Sequence, residues 1–250
     1  MGQILSVLGY AFIPVIAAVI GGLIATIRTP GERAQGYVQH FAAGVVFAAV
    51  AGEVLPEIMR EHALAPAIIG FALGVVTMLG IKELTERMGG GHGEGEVASG
   101  GALPMAMLIT IGVDLLMDGL LVGVGFAAGA QTGLLLTAAL TLEVLFLGLS
   151  TAAVLAKAGA PRGRMLATIT GLALMIVLGA LLGTTLLSGL SGPWLEGVLS
   201  FGAVALLYLV TEELLVEAHK IPDTPLMTAS FFLGFLILFL IEMVVSTPVV

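Results

Sequence analysis

Three acidic residues lie near the middle of long apolar segments, where carboxylates are rare. Asp114 and Asp118 belong to the fourth such segment and Glu143 to the fifth. An ionised carboxylate at the centre of a bilayer costs about 2.5–3.5 kcal/mol on insertion scales. All nine basic residues fall at predicted helix ends or in loops, so no Lys or Arg is expected at the same depth. A bound cation, a proton on each group or a water-filled cavity must therefore offset a combined cost of order 8–10 kcal/mol.

The spacing of these three residues favours a bound cation. Residues four apart share one face of a helix, so Asp114 and Asp118 are expected to point the same way. Glu143 on a facing helix would complete a cluster of three carboxylates. Several oxygens at short range are what a divalent cation requires. Two alternatives stay open, namely protonated packing residues and a proton relay that works without metal.

The composition indicates an integral membrane protein. Hydrophobic residues make up 58% of the 250 residues and charged residues only 10%, and the mean hydropathy is +1.13. Soluble domains carry about 25% charged residues. The net charge of −8 argues against a nucleic-acid partner, and the absence of cysteine excludes disulfides and thiolate metal sites. No Gly-x-Ser-x-Gly or His-Glu-x-x-His arrangement occurs, so neither an enzyme nor an organic cofactor is expected.

Eight segments are long enough to cross a bilayer core about 30 Å thick, which needs roughly 20 apolar residues in a helix. They are approximately 3–27, 34–58, 64–84, 103–128, 132–157, 164–187, 195–218 and 225–246. The sequence thus predicts an all-α, polytopic membrane protein with a single transporter domain over residues 1–250. A glycine-rich connection at about 87–102 joins the third and fourth helices.

The basic residues predict how the helices are oriented. The first, third, fifth and seventh connections hold eight of the nine Lys and Arg residues, whereas the second, fourth and sixth hold only Arg60. Cytoplasmic loops collect Lys and Arg. We therefore expect a multi-pass protein of the cell membrane whose odd-numbered connections are cytoplasmic and whose termini are both extracytoplasmic.

A weak internal repeat links the second and seventh segments. Residues 41–57 align without gaps on residues 201–217, and Glu53 falls on Glu213 at an offset of 160 residues. In the predicted topology these two helices run in opposite directions. The sequence therefore predicts an inverted repeat of helices 1–3 and 6–8 around a central pair, helices 4 and 5, a plan common in secondary transporters. Chance similarity between two apolar helices is the alternative.

Further acidic and histidine residues could hold an ion on its way into and out of the membrane. Glu53 and Glu57 lie at the predicted outer end of the second helix, and the inner end of the seventh carries Glu213, Glu217 and His219. The alternative is that all five are solvated or interfacial residues at helix ends.

The glycine-rich connection contains three more candidate ligands. His92, Glu94 and Glu96 could capture cytoplasmic metal and report its concentration. Metal-sensing loops are usually far richer in histidine, so a solvated loop is the alternative reading.

These features resemble the ZIP (Zrt/Irt-like) family of divalent metal transporters. The stretch Phe41-Ala-Ala-Gly-Val through Glu53-Val-Leu-Pro-Glu57 is similar to that family's second helix, and Val122-Gly-Val-Gly-Phe-Ala-Ala-Gly129 is similar to the end of its fourth. The resemblance spans the whole chain and implies eight helices, external termini and an inverted repeat. It also implies cation uptake toward the cytoplasm, a metal held by the fourth and fifth helices, and a mobile four-helix bundle beside a scaffold that forms a homodimer.

The metal-binding signature departs from that of the family. The family's fourth helix typically reads His-Asn-x-Pro-Glu-Gly and its fifth His-x-x-x-Glu-Gly. Aligned on Gly119 and Gly148, this chain keeps Asp114, Asp118 and Glu143 at one metal position and has lost nearly every ligand at the second. The resemblance therefore implies a mononuclear site at most.

The all-carboxylate ligand set changes which ion is expected as substrate. Imidazole suits zinc, whereas carboxylate suits harder ions such as Mn²⁺. Mn²⁺ or Fe²⁺ is therefore a better candidate here than for a typical member of the family, while Zn²⁺ and Cd²⁺ remain possible because carboxylates bind zinc too. The alternatives are a proton- or sodium-coupled transporter and a regulatory member that transports nothing, both on the same fold.

Overall fold

The chain folds into eight long helices, as the sequence predicts. The structure is a computed structural model and describes residues 2–27, 31–87, 105–187, 190, 192–222 and 224–245. All eight helices are long and apolar enough to cross a membrane, and the described residues contain no strand. The helices are α1 (Gly2–Ile27), α2 (32–61), α3 (Leu64–Arg87), α4 (Met105–Ala128), α5 (Ala130–Lys157), α6 (Arg162–Leu187), α7 (193–218) and α8 (Pro225–Val245).

Two of these helices change to π-helical geometry in their second half. In α2 the π segment is Val50–Val54, and in α7 it is Leu209–Leu214. Pro56 explains the first, because a proline ring clashes with the carbonyl group four residues earlier and cannot donate to it. The second contains no proline, but the Thr211 hydroxyl donates to the Leu207 carbonyl oxygen within it, a contact that often bends helices. Neither segment was predicted from the sequence.

The helices associate in closely packed pairs. α1 packs against α5, α4 against α6, α2 against α8 and α3 against α7, and α1 also contacts α6. Glycines make the closest approaches possible, since a Cβ built at Gly119 would overlap the Ile176 carbonyl oxygen, and one at Gly148 would overlap that of Ala18. α3 and α8 lie at the periphery and bury only 17% of their apolar windows. Their exposed aliphatic and aromatic side chains are suited to contact with lipid.

The packing around Gly148 leads to a stability prediction. We expect Gly148→Ala to lower the free energy of unfolding by about 1–3 kcal/mol, because the added methyl group must push α5 away from the α1 backbone. Gly171→Ala is the matched control, since a Cβ there meets no atom within 4 Å in a helix of similar length. It should leave stability unchanged or raise it by up to about 1 kcal/mol. Thermal unfolding of both variants in one detergent measures the difference, and equal effects would contradict the packing argument.

Candidate metal centre

The three carboxylates singled out by the sequence come together in the interior of the protein. One oxygen from each of Asp114, Asp118 and Glu143 lies within 4.8 Å of the other two. Carboxylate oxygens this close together are typical ligands of a divalent cation. The structure therefore brings together the three residues that the sequence singled out, and their role as a metal site remains a prediction.

Close helix packing holds this cluster in place. Asp118 precedes Gly119, which allows α4 to approach the α6 backbone, and Glu143 lies five residues before Gly148, which allows α5 to approach α1. Asp114 lies one turn before Asp118 on the same face of α4. Because α4 and α5 also contact each other, the carboxylates of the two helices face one another across a short gap.

Two oxygens of the cluster lack a protein partner. Asp118 and Glu143 are only 4% and 2% exposed. Asp118 Oδ2 and Glu143 Oε2 accept no hydrogen bond among the described residues. Leaving a buried polar atom without a partner costs about 1–3 kcal/mol, and more when the group is charged. Such a cost is rarely kept in a structure unless another species satisfies the oxygens.

A small cavity adjoins the cluster. Its volume is about 40 Å³, and its polar lining includes Thr110, Asp114, Asp118 and Glu213. The apolar lining comes from residues 78–81 of α3, residues 113–121 of α4 and residues 205–209 of α7. The α3 and α7 parts lie in the halves of those helices that adjoin odd-numbered connections. Asp114 is half-buried and borders the cavity, whereas Glu143 lies behind it in the packed interior.

The cavity also contains a basic residue that the sequence argument did not place there. Lys82 of α3 lines it, and its Nζ lies 2.8 Å from Glu212 Oε2 of α7. The prediction that no Lys or Arg lies at the depth of the carboxylates remains a prediction, since the ion pair of Lys82 is with Glu212 and not with the cluster.

The residues expected at the helix ends separate into different environments. Glu213 lines the cavity, where it interacts electrostatically with Asp114 and Asp118. Glu53, its counterpart in α2, is 8% exposed and accepts hydrogen bonds of 3.1 Å from Gln131 Nε2 and Thr132 Oγ1 at the start of α5. Of these two glutamates, only Glu213 is positioned to help the cluster bind an ion in this structure.

The other candidate ligands at the helix ends take part in contacts outside the cavity. Glu57 pairs with Arg60 at 2.8 Å and Glu217 pairs with Lys220 at 2.6 Å. The His219 ring contacts the Leu215 carbonyl oxygen, and its centroid lies 5.3 Å from that of His40. The structure therefore does not bring Glu57, Glu217 or His219 to the cavity.

The remaining predicted ligands cannot be placed. His92, Glu94 and Glu96 lie outside the described residues.

Comparison with known proteins adds no assignment. No protein-family model matches the chain, and no curated protein matches it. Statements about the site therefore rest on its geometry.

The unpartnered oxygens give a prediction about ion-linked stability. Mn²⁺ or Cd²⁺ at a hundred times its dissociation constant should stabilise the protein by about 2.7 kcal/mol. Asp118→Asn should abolish this gain and raise the stability of the ion-free protein, because it removes a buried carboxylate whose Oδ2 has no hydrogen-bond partner among the described residues. Glu57→Gln, a carboxylate change at the surface, is the control and should keep the full response. Thermal unfolding with and without each ion measures the effect; an equal response in all three proteins would show that the ions act elsewhere.

Proposed function

We propose that this protein carries divalent transition metal ions across a membrane, in the manner of the ZIP family. The observation that carries the proposal is the cluster of Asp114, Asp118 and Glu143, whose oxygens approach within 4.8 Å at the inner end of a cavity. A carrier needs a binding site deep in the membrane and a path that opens it to one side. The cluster is proposed as the binding site, and the cavity beside it is proposed as part of the path.

Recurring contacts support an inverted repeat, which is the architecture expected of such a carrier. Gly74 meets the Phe201 carbonyl oxygen between α3 and α7, and Gly234 meets that of Phe41 between α8 and α2. Both glycines and both phenylalanines are separated by 160 residues, the offset seen in the sequence. The two π segments contain Glu53 and Glu213, which share that offset. Equivalent contacts between pairs of helices are harder to attribute to chance than equivalent residues in two apolar sequences.

A second pair of contacts follows the same offset. A Cβ at Gly70 would overlap the Gly197 carbonyl oxygen, and the Ser230 hydroxyl donates to the Tyr37 carbonyl oxygen at 3.1 Å. The offset of 160 residues relates position 70 to position 230 and position 37 to position 197. The contact between positions 70 and 197 therefore has its counterpart in the contact between positions 230 and 37. This supports two halves with the same packing and opposite directions in the membrane.

The two ends of the proposed pathway differ in this structure. On the side of the odd-numbered connections, the cavity reaches Asp114. On the opposite side, Glu53 is hydrogen-bonded to the first turn of α5, and Val50 and Val54 beside it are buried. With the odd-numbered connections in the cytoplasm, this arrangement corresponds to an inward-facing carrier. Import would then require Glu53 to part from Gln131 and Thr132 when the other side opens.

The chemistry of the ligands favours Mn²⁺ or Fe²⁺ as the substrate. Every ligand in the cluster is a carboxylate oxygen, which prefers harder ions than imidazole does. Three carboxylates leave a net charge of −1 around a divalent ion, which a proton or a second cation can balance. Zn²⁺ and Cd²⁺ are the remaining substrates to compare.

Uptake into liposomes tests the transport proposal. The purified protein should accumulate Mn²⁺, Fe²⁺, Zn²⁺ or Cd²⁺ without needing sodium, and Asp118→Asn and Glu143→Gln should each lower the rate at least about ten-fold, because each removes a charged ligand. Glu57→Gln serves as the control and should keep the wild-type rate. Sodium-dependent transport that survives without divalent ions would favour a coupled transporter of another kind. Absence of both uptake and binding would favour a regulatory or structural protein.

Selective labelling tests the proposed orientation. The chain has no cysteine, so a single introduced cysteine is the only thiol present. Arg60→Cys in the last turn of α2, next to the second connection, should react with a membrane-impermeant maleimide added to intact cells, whereas Arg162→Cys at the start of α6 should react only after permeabilisation. Both changes remove an arginine, so each serves as the control for the other. The reversed labelling pattern would place the cavity on the extracytoplasmic side.

A further inference from the structure

Lys82 lies where it can act on both an ion pair and the carboxylate cluster. Its Nζ is 2.8 Å from Glu212 Oε2, yet both side chains are about 40% exposed, so burial does not hold the pair in place. Lys82 lines the same cavity as Asp114 and Glu213. Glu212 and Glu213 are consecutive residues of the α7 π segment. Rotation about the side-chain bonds of the flexible lysine would move its ammonium group from Glu212 toward Glu213.

We propose that Lys82 is the resident counter-cation of this cavity and drives release of the transported ion. This inference rests on the proposed transport function. When the divalent ion occupies the cluster, Lys82 stays on Glu212, and when the ion leaves, the ammonium group turns toward Asp114 and Glu213 and neutralises them. Lys82 thereby lowers the affinity of the open cavity for cations, because a positive charge nearby repels a second one.

The two ends of the repeat differ at this position. The residue that corresponds to Lys82 at the offset of 160 is Glu242 of α8. Its carboxylate lies against Gly52, which corresponds in turn to Glu212. One end of the pathway therefore pairs a lysine with a glutamate, while the other has a glutamate against a glycine. An acidic group at one end attracts cations and a basic group at the other repels them, so a cation should bind more weakly at the end that holds Lys82 than at the other end.

Equilibrium binding separates this role from a purely structural one. We would titrate Mn²⁺ and Cd²⁺ into the purified protein by calorimetry, comparing Lys82→Met, Lys82→Arg and Glu212→Gln with the wild type. Lys82→Met should bind each ion about ten-fold or more tightly, whereas Lys82→Arg should resemble the wild type. Glu212→Gln should bind more weakly, because Lys82 loses its ion pair with Glu212 and turns to the cluster. The double variant Lys82→Met with Glu212→Gln should bind each ion as tightly as Lys82→Met alone, since Glu212 affects binding only through the lysine.

Transport and a matched control complete the test. Lys82→Met should lower both the KM and the maximal rate of uptake, because slow release limits turnover. Lys220→Met also breaks an ion pair at this end of α7 but lies outside the cavity lining, and it should change neither affinity nor rate. Unfolding temperatures identify any variant that fails to fold. If Lys82→Met does not fold, Lys82→Gln is used in its place.

Two outcomes would overturn the proposal in distinguishable ways. If the wild type binds the ions and Lys82→Met binds them no more tightly, Lys82 serves only as an ion-pair link between α3 and α7. The proposed transport function would still stand. If neither the wild type nor any variant binds an ion, the proposed function fails and the role of Lys82 fails with it.

Discussion

The central physical constraint on this protein is the cost of burying carboxylates in an apolar interior. Asp118 and Glu143 are almost completely buried, and each keeps an oxygen without a protein partner. Hydrophobic side chains of similar size at these positions would be more stable in lipid. Under the proposed function, a physical reason for this arrangement is that a transported ion binds to these oxygens for part of the time. A carrier needs this property, because a site that the protein satisfied completely would have no affinity left for a passing ion.

The packing of the helices fixes the positions of the buried carboxylates. Gly119 and Gly148 bring α4 and α5 against the backbones of α6 and α1, so the two acidic helices have little freedom to separate. The π segments of α2 and α7 lie beside this rigid centre and contain Glu53 and Glu213. π-helical turns often mark functional sites and places where a helix can change register. The centre therefore provides a fixed binding geometry, and the flanking helices provide the parts that can differ between the two sides.

In the proposed inverted repeat, equivalent positions carry different charges. Glu213 borders the cavity, whereas Glu53 is held by Gln131 and Thr132, so similar residues are in an open and a closed environment at once. Alternation between two such environments is the simplest way for a repeat to expose one site to both sides. The exchange of Lys82 for Glu242 shows that the halves are not interchangeable in charge. A repeat can thus give alternating access through its shared packing, while its charge differences set the affinity for a cation at each end.

The sequence by itself determined the membrane class, the eight helices and the three central carboxylates. Apolar runs of bilayer length permit little else in lipid, and the four-residue spacing of Asp114 and Asp118 fixes their common face. Only the tertiary structure decided which distant groups join them. It brought Glu213 and Lys82 to the cavity and left Glu53 in hydrogen bonds elsewhere, although Glu53 and Glu213 look equivalent in the sequence. The reason is physical: local periodicity specifies the face of one helix, whereas the depth and tilt at which helices meet depend on side-chain packing along their whole lengths.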